Sequence, residues 1–254
     1  MDINLTNHLA IATGGAGQLG RVISHTLAAC GADVIVHYHN SQAKAHALSQ
    51  SFQAMGRASI AVQADVTDAA SVDGMKAQIL ADFGRLPDII VNNAVAQYTW
   101  TTVMDQPLED YESQFRSCTL QNVIMAKAFV PAMIEQKWGR VIAINTECAM
   151  QNFPNQSAYV SGKRGMDGVL RVLAKEIGQH QITVNQVAPG WMISDGSPDG
   201  DSTGELAYKA AVPLRHRGKD QDVANLVAFL ASDLASFISG QYISVSGGNV
   251  MPAI

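Results

Sequence analysis

Cysteine is scarce in this chain: there are three among 254 residues, Cys30, Cys118 and Cys148, odd in number and far apart. Without a C-x-x-C pair they suggest neither a disulfide framework nor a zinc knuckle, and reduced thiols in a cytoplasm are the plain reading. Charge is sparse as well, at 15% of residues with a net of −5 and no basic block. That balance argues against a nucleic-acid or anionic-membrane surface. Nowhere do about 18 apolar residues run together, and the opening MDINLTNHLA has neither a basic nor a long apolar region. Neither a membrane span nor a secretory leader is expected. Repeats, linkers, low-complexity tracts and a metal-ligand cluster are missing too. These absences leave a single domain over residues 1–254 that works on small molecules.

What the chain does have is alternation. Short apolar runs at 9–13, 33–38, 58–63, 88–93, 140–145, 182–187 and 241–246 are bounded by turn residues. Being apolar throughout, they read as strands buried on both faces. Stretches of helical periodicity lie at 19–30, 41–55, 68–84, 107–137, 157–178 and 220–232. The expected architecture is α/β, a doubly wound Rossmann-type parallel sheet of about seven strands with helices on both faces. The segment SDGSPDGDSTGE, 194–205, is rich in Gly, Pro, Ser and Asp. It reads as the centre of a mobile substrate-side loop at about 191–212.

The run LAIATGGAGQLGR, 9–21, places four glycines in seven residues between the first strand and the first helix. Gly15-Ala16-Gly17-Gln18-Leu19-Gly20 fits G-x-G-x-x-G in the required context, with Gly14 just before it. Glycines let the backbone approach a pyrophosphate, and the helix start attracts it. An NAD site places an acid at the end of the second strand to accept from the ribose 2′-hydroxyl. Here that position is Tyr38, followed by Asn40 and Ser41, which can hydrogen-bond a 2′-phosphate, with Lys44 in electrostatic reach. NADP(H) is therefore favoured over NAD(H).

TGGAGQLG at 13–20, ADV at 64–66, NNA at 92–94, Tyr159-Val160-Ser161-Gly162-Lys163 and APG at 188–190 follow one another in order and spacing. With these motifs the chain resembles the short-chain dehydrogenase/reductase family over nearly its whole length. It is most like the single-domain NADP(H)-dependent branch of 3-oxoacyl and pteridine reductases. The resemblance implies that Asp65 accepts from the adenine amino group beside Val66, and that Asn92 and Ala94 line the cofactor channel. It also implies that Pro189-Gly190, the backbone of Met192 and the Ser194 hydroxyl fix the nicotinamide. Tyr159 would be the acid/base, with Lys163 one helical turn away supplying the positive charge that stabilises its phenolate.

Some positions depart from the family pattern. Thr146 stands where a serine orients the substrate carbonyl and keeps its hydroxyl, while the added methyl restricts χ1. Cys118 stands where the family carries an asparagine of a proton relay, and Val95 follows NNA in place of glycine. The glycine spacing is that of the sugar-nucleotide epimerases and dehydratases, but the chain ends too soon after the seventh strand for their substrate domain. A non-catalytic dinucleotide-binding protein is the other alternative, suggested by Cys118 and Thr146 and opposed by the intact Tyr159 and Lys163. The leading expectation is an NADP(H)-dependent oxidoreductase acting on a carbonyl or secondary alcohol. Glu147, Phe153 and Trp191, with Tyr98, Trp100 and Met192, flank the expected substrate pocket. The acidic Asp195, Asp199 and Asp201 speak against a strongly anionic substrate. The long helices 107–137 and 157–178 predict a homotetramer or homodimer.

Overall fold

A computed structural model describes residues 2–251 of the chain. Seven parallel strands form one sheet in the order β3-β2-β1-β4-β5-β6-β7: β1 Leu9–Ala12, β2 Asp33–Tyr38, β3 Ser59–Gln63, β4 Ile89–Asn92, β5 Gly139–Ile144, β6 Ile182–Pro189 and β7 Tyr242–Val245. The alternation of side chains along each strand explains why these runs are apolar throughout. In β1, Ala10 and Ala12 join the core on one face, while Leu9 and Ile11 join the core on the other. The first core is closed by α1 Gln18–Ala29, α2 Gln42–Ala54 and α9 Asp220–Ala231, through residues such as Ile23, Phe52 and Val227. The second is closed by α3 Ala69–Phe83, α5 Gln121–Gln136 and α7 Ser157–Ile177, through Ile79, Phe129 and Leu170. The strand order reverses between β1 and β4, so a crevice opens at their carboxyl ends.

Two segments differ from the sequence expectation. The stretch expected as one helix at 107–137 is α4 Leu108–Gln114, a π-helical turn Phe115–Leu120, then α5. Helix α7 explains the wide turn's neighbourhood. A side chain on Gly162 would meet the Gln114 carbonyl oxygen at 2.7 Å and Cys118 Cβ at 3.1 Å, so α7 lies directly against the π segment. Leu108–Gln136 is also apolar and long enough to cross a membrane by length and composition alone, with mean hydropathy 1.2. More than half of its most apolar window is buried within the domain, as a core helix requires.

The second difference lies within 191–212, where the loop gives way at Ser202 to α8 Thr203–Ala211. Ser202 and Glu205 form a reciprocal capping box, which starts a helix despite the Gly- and Asp-rich approach. The short helix α6 Cys148–Gln151 follows β5. Buried Arg217 binds Glu205 Oε1 at 2.7 Å, Met192 O at 2.7 Å, Ser197 O at 3.0 Å and Pro198 O at 3.0 Å, tying the approach to α8 down. Lys209 pairs with Asp199 and Asp201, and Arg21 with Asp195. The three acids thus have cationic partners, which removes the sequence argument against an anionic substrate.

Candidate active site

Gly14 turns the chain at the end of β1 with φ +62°, a left-handed conformation that favours glycine. Its N–H donates to His37 Nδ1 at 2.8 Å, and His37 Nε2 in turn donates to Ala64 O at 3.0 Å. Accepting at one nitrogen and donating at the other requires neutral imidazole, and burial lowers the His37 pKa to about 4. Thr13 Oγ1 accepts from the amides of Asn93 and Ala94, both at 2.9 Å, joining the turn to the end of β4. Helix α1 then starts at Gly17 without a side-chain cap, so its first-turn amides remain available to an anion. Gly20 lets that helix approach, since a side chain there would meet the Gly14 carbonyl oxygen at 2.1 Å.

These elements border a cleft of about 930 Å³. Gly14, Gly17, Gln18 and Leu19 line its floor, and Tyr38, Asn40, Ser41, Asp65 and Val66 line one end. Asp65 is pushed up by partial burial but held below the usual carboxylate range by hydrogen bonds from the Thr67 hydroxyl and amide, both to Oδ1. Helix α2 starts at Ser41, whose hydroxyl makes no capping bond. Ala94, Pro189 and Gly190 complete the far end beside Thr146, Tyr159 and Lys163. A dinucleotide fits this set: uncapped helix starts for its phosphates and a free Asp65 oxygen at the base end. The buried Ser117 hydroxyl has no partner and lines the same cleft.

Several expected positions fall elsewhere. Gly15 does not line the cleft. Its N–H donates to His37 O at 2.9 Å, and its bare Cα lies against Ala12 O. Asn92 points behind the sheet end and donates to Asn122 Oδ1 at 2.8 Å, and the next residue, Asn93, faces the cleft instead. Met192 packs on Gly218 with its carbonyl taken by Arg217, and Ser194 pairs with Ser197 across a tight turn, so neither borders the cleft. Lys44 is exposed and outside the lining. Cys118 is fully buried, donates to Gln114 Oε1 at 3.6 Å and lines neither cavity. Within the π turn it is Ser117 that faces the cleft.

Tyr159 and Thr146 line both this cleft and a second cavity of about 440 Å³ beside it. Tyr98 holds the start of α7 by accepting from the Tyr159 amide at 2.9 Å, and the Trp100 ring stacks on Tyr159 with centroids 5.9 Å apart. Lys163 is buried, donates to Ile144 O at 2.6 Å and lies 5.7 Å from the Tyr159 ring centre. Burial raises the Tyr159 pKa, with a hydrogen bond to Thr146 opposing it, and burial lowers that of Lys163. The phenol therefore holds its proton more firmly than usual, opposite to the lowering expected from Lys163. Thr146 Oγ1 accepts from the Cys148 amide at 3.2 Å, and Asn145 carries β5 to β6 by donating to Gln186 Oε1 at 2.7 Å.

The second cavity is lined by Tyr98, Trp100, Phe153 and Trp191 with Glu147, as the sequence predicts for the substrate side. Tyr208 of α8 and Gln156 join it, and neither was singled out in the sequence. Tyr208 donates to Glu147 Oε1 at 3.0 Å, and Asn249 Nδ2 donates to Oε2 at 3.0 Å. These partners lie 61 and 102 residues away, so no local spacing could have signalled them. The Thr-Gly turn and the Tyr-x-x-x-Lys pair, by contrast, carry a local spacing, and both line the neighbouring cleft.

A family model described as Enoyl-(Acyl carrier protein) reductase matches residues 14–249. The chain is 34% identical over 252 residues to the 3-oxoacyl-[acyl-carrier-protein] reductase FabG of Staphylococcus aureus, covering 95% of this chain and 98% of that protein. It is also 34% identical over 250 residues to FabG of Escherichia coli, covering 98% and 100%. Among solved structures, a 7α-hydroxysteroid dehydrogenase complexed with NADH and 7-oxo glycochenodeoxycholic acid superposes with TM-score 0.90 at 28% identity, covering 99% and 97%. A blue fluorescent protein from a metagenomic library, in complex with NADPH, gives 0.89 at 32% identity, covering 98% and 100%. Matched from the glycine turn to the last strand, this chain belongs to the short-chain dehydrogenase/reductase family of hydride-transferring oxidoreductases.

Proposed function

We propose that the protein is an NADPH-dependent carbonyl reductase whose acid is Tyr159. The observation that carries this reading is the position of Tyr159 and Thr146, which border both the dinucleotide cleft and the aromatic cavity. A carbonyl carbon lying at that junction has the cofactor on one side and the two hydroxyls on the other. When bound, the dinucleotide supplies the hydride. Thr146 orients the carbonyl oxygen, and Tyr159 transfers its hydroxyl proton to that oxygen as negative charge develops. A phenol kept protonated by burial suits donation to an oxygen on which negative charge develops. Lys163 lies buried one turn from the phenol and lines the same cleft, where its Nζ donates to Ile144 O. Ser117, with its unpartnered hydroxyl, faces the cleft where the family resemblance had placed Cys118.

Tyr38 in place of an acid, together with Asn40, Ser41 and the uncapped start of α2, supports NADPH over NADH. The exposed Leu108, Phe115 and Val172 on the α4–α5 and α7 faces support a closed homotetramer or homodimer built on those helices. Three free cysteines support a cytoplasmic location. Reduction of a panel of ketones, keto-esters, quinones and pterins, followed as NADPH oxidation, tests the reading. Turnover of at least one carbonyl class is expected, and cofactor binding without turnover of any would favour the non-catalytic alternative.

A further inference from the structure

Glu147 is a buried carboxyl group without a counter-charge, and burial pushes its pKa up. Its residue is 4% exposed, and among the described residues no Lys, Arg or His lies within ion-pair distance of its carboxylate. Tyr208 and Asn249 each donate one hydrogen bond to it, which leaves lone pairs on both oxygens and neutralises none of the charge. Buried carboxylates ordinarily have a cationic or metal partner, because desolvating a lone one is costly. Among the described residues no group of three metal-ligating side chains exists to hold an ion here. Glu147 lines the same cavity as Tyr159 and Thr146, within reach of a ligand placed there.

The rest of the wall has matching chemistry. Tyr98, Trp100, Phe153 and Trp191 present aromatic surface, which attracts cations through the negative ring face. The Arg217 guanidinium already lies 4.5 Å from the Trp191 ring centre, so one of these rings is in use as a cation partner. Gln156, also in the wall and 9% exposed, has a buried side-chain oxygen that receives no donor. An aromatic box with a charged acceptor and a neutral acceptor lacks one thing, a positively charged hydrogen-bond donor.

We propose that the carbonyl substrate carries a protonated amine, which pairs with Glu147 inside the aromatic cavity while its carbonyl reaches Tyr159 and Thr146. This assignment rests on the carbonyl-reductase reading and narrows its substrate to amino-ketones. It has no bearing on the anion-binding end of the dinucleotide cleft.

The test is a matched pair of methyl ketones of equal length, one ending in a dimethylammonium group and the other in an isopropyl group. Calorimetric titration of each into the full-length protein saturated with NADP⁺ measures binding without turnover. A failure of hydride transfer, seen in the NADPH-oxidation panel, is therefore read separately. The ammonium ketone is expected to bind about tenfold more tightly at neutral pH, the size of a charge-assisted hydrogen bond with cation–π support. Glu147→Gln keeps the shape and can still bond Tyr208, and it should reduce the ratio to about one while NADP⁺ binding persists. Equal binding of the two ketones by the unaltered protein, binding of neither, or an undiminished preference in Glu147→Gln would each overturn the assignment.

Discussion

Replacing Gly20 with alanine should separate the glycine turn's phosphate role from simple packing. A Cβ at Gly20 would lie 2.1 Å from the Gly14 carbonyl oxygen, 2.9 Å from its carbon and 3.0 Å from Asn93 Nδ2. Comfortable contacts begin near 3.5 Å, so the turn and the start of α1 must part by about 1 Å. The obstruction is backbone, which cannot swing aside, and overpacking of this kind costs about 1–3 kcal/mol. A shift of that size also takes at least one amide of α1 out of range of a phosphate. Losing one hydrogen bond to a charged group weakens NADPH binding about ten- to a hundredfold. Urea unfolding gives the first quantity and quenching of protein fluorescence by NADPH gives the second. Gly74, exposed in α3 with nothing within 4 Å of where a Cβ would stand, is the control. Gly74→Ala should gain about 0.5–1 kcal/mol and leave NADPH affinity unchanged. If Gly20→Ala bound NADPH as the unaltered protein does, the phosphate would not sit on this turn.

Tyr38→Asp should weaken NADPH binding by about tenfold or more and move preference toward NADH, because a carboxylate repels the 2′-phosphate and accepts from a 2′-hydroxyl. Calorimetry with both cofactors measures it. Thr146→Ala should lower kcat about 100-fold through loss of an oriented hydroxyl, Thr146→Ser should be close to neutral, and Cys118→Ala should change kcat little, in the same reductase assay. Burial lowers the pKa of His37 to about 4 from 6.5, so between those values the unfolded chain binds more protons than the folded one. Its contribution, at most about 3 kcal/mol, is fully present above pH 6.5 and is lost as pH falls toward 4. Urea midpoints measured across this window should fall with pH, and His37→Gln should flatten the slope.

The sheet was legible because its central strands are buried on both faces, so that β1 and the Val141–Ile144 part of β5 read as apolar runs whose alternate residues enter opposite cores. The glycine turn was legible because Gly14 takes a left-handed backbone and Gly20 allows a close approach, and Tyr159 and Lys163 because one helical turn sets their spacing. Positions fixed by long-range packing were not legible. Asn92 and Asn93 are adjacent, and which of them faces the cleft depends on the partner Asn122 in α5. Ser117 rather than Cys118 faces the cleft because the π turn, against which α7 packs, changes the register of the helix. Helix α8 was hidden by its glycines and acids, since a capping box and a buried Arg217–Glu205 pair stabilise it where composition alone suggests a loop. The isolation of Glu147 depends on Tyr208 and Asn249, which only the folded chain brings to it.

Single-turnover reduction of a confirmed substrate by Tyr159→Phe asks whether Tyr159 delivers the proton during carbonyl reduction. The variant loses only a hydroxyl at the junction of the two cavities, so NADPH should bind with unchanged affinity while the hydride-transfer rate falls by about a thousandfold or more. Retention of the full single-turnover rate in Tyr159→Phe, with NADPH bound normally, would contradict the account and direct attention to Glu147 as the proton source.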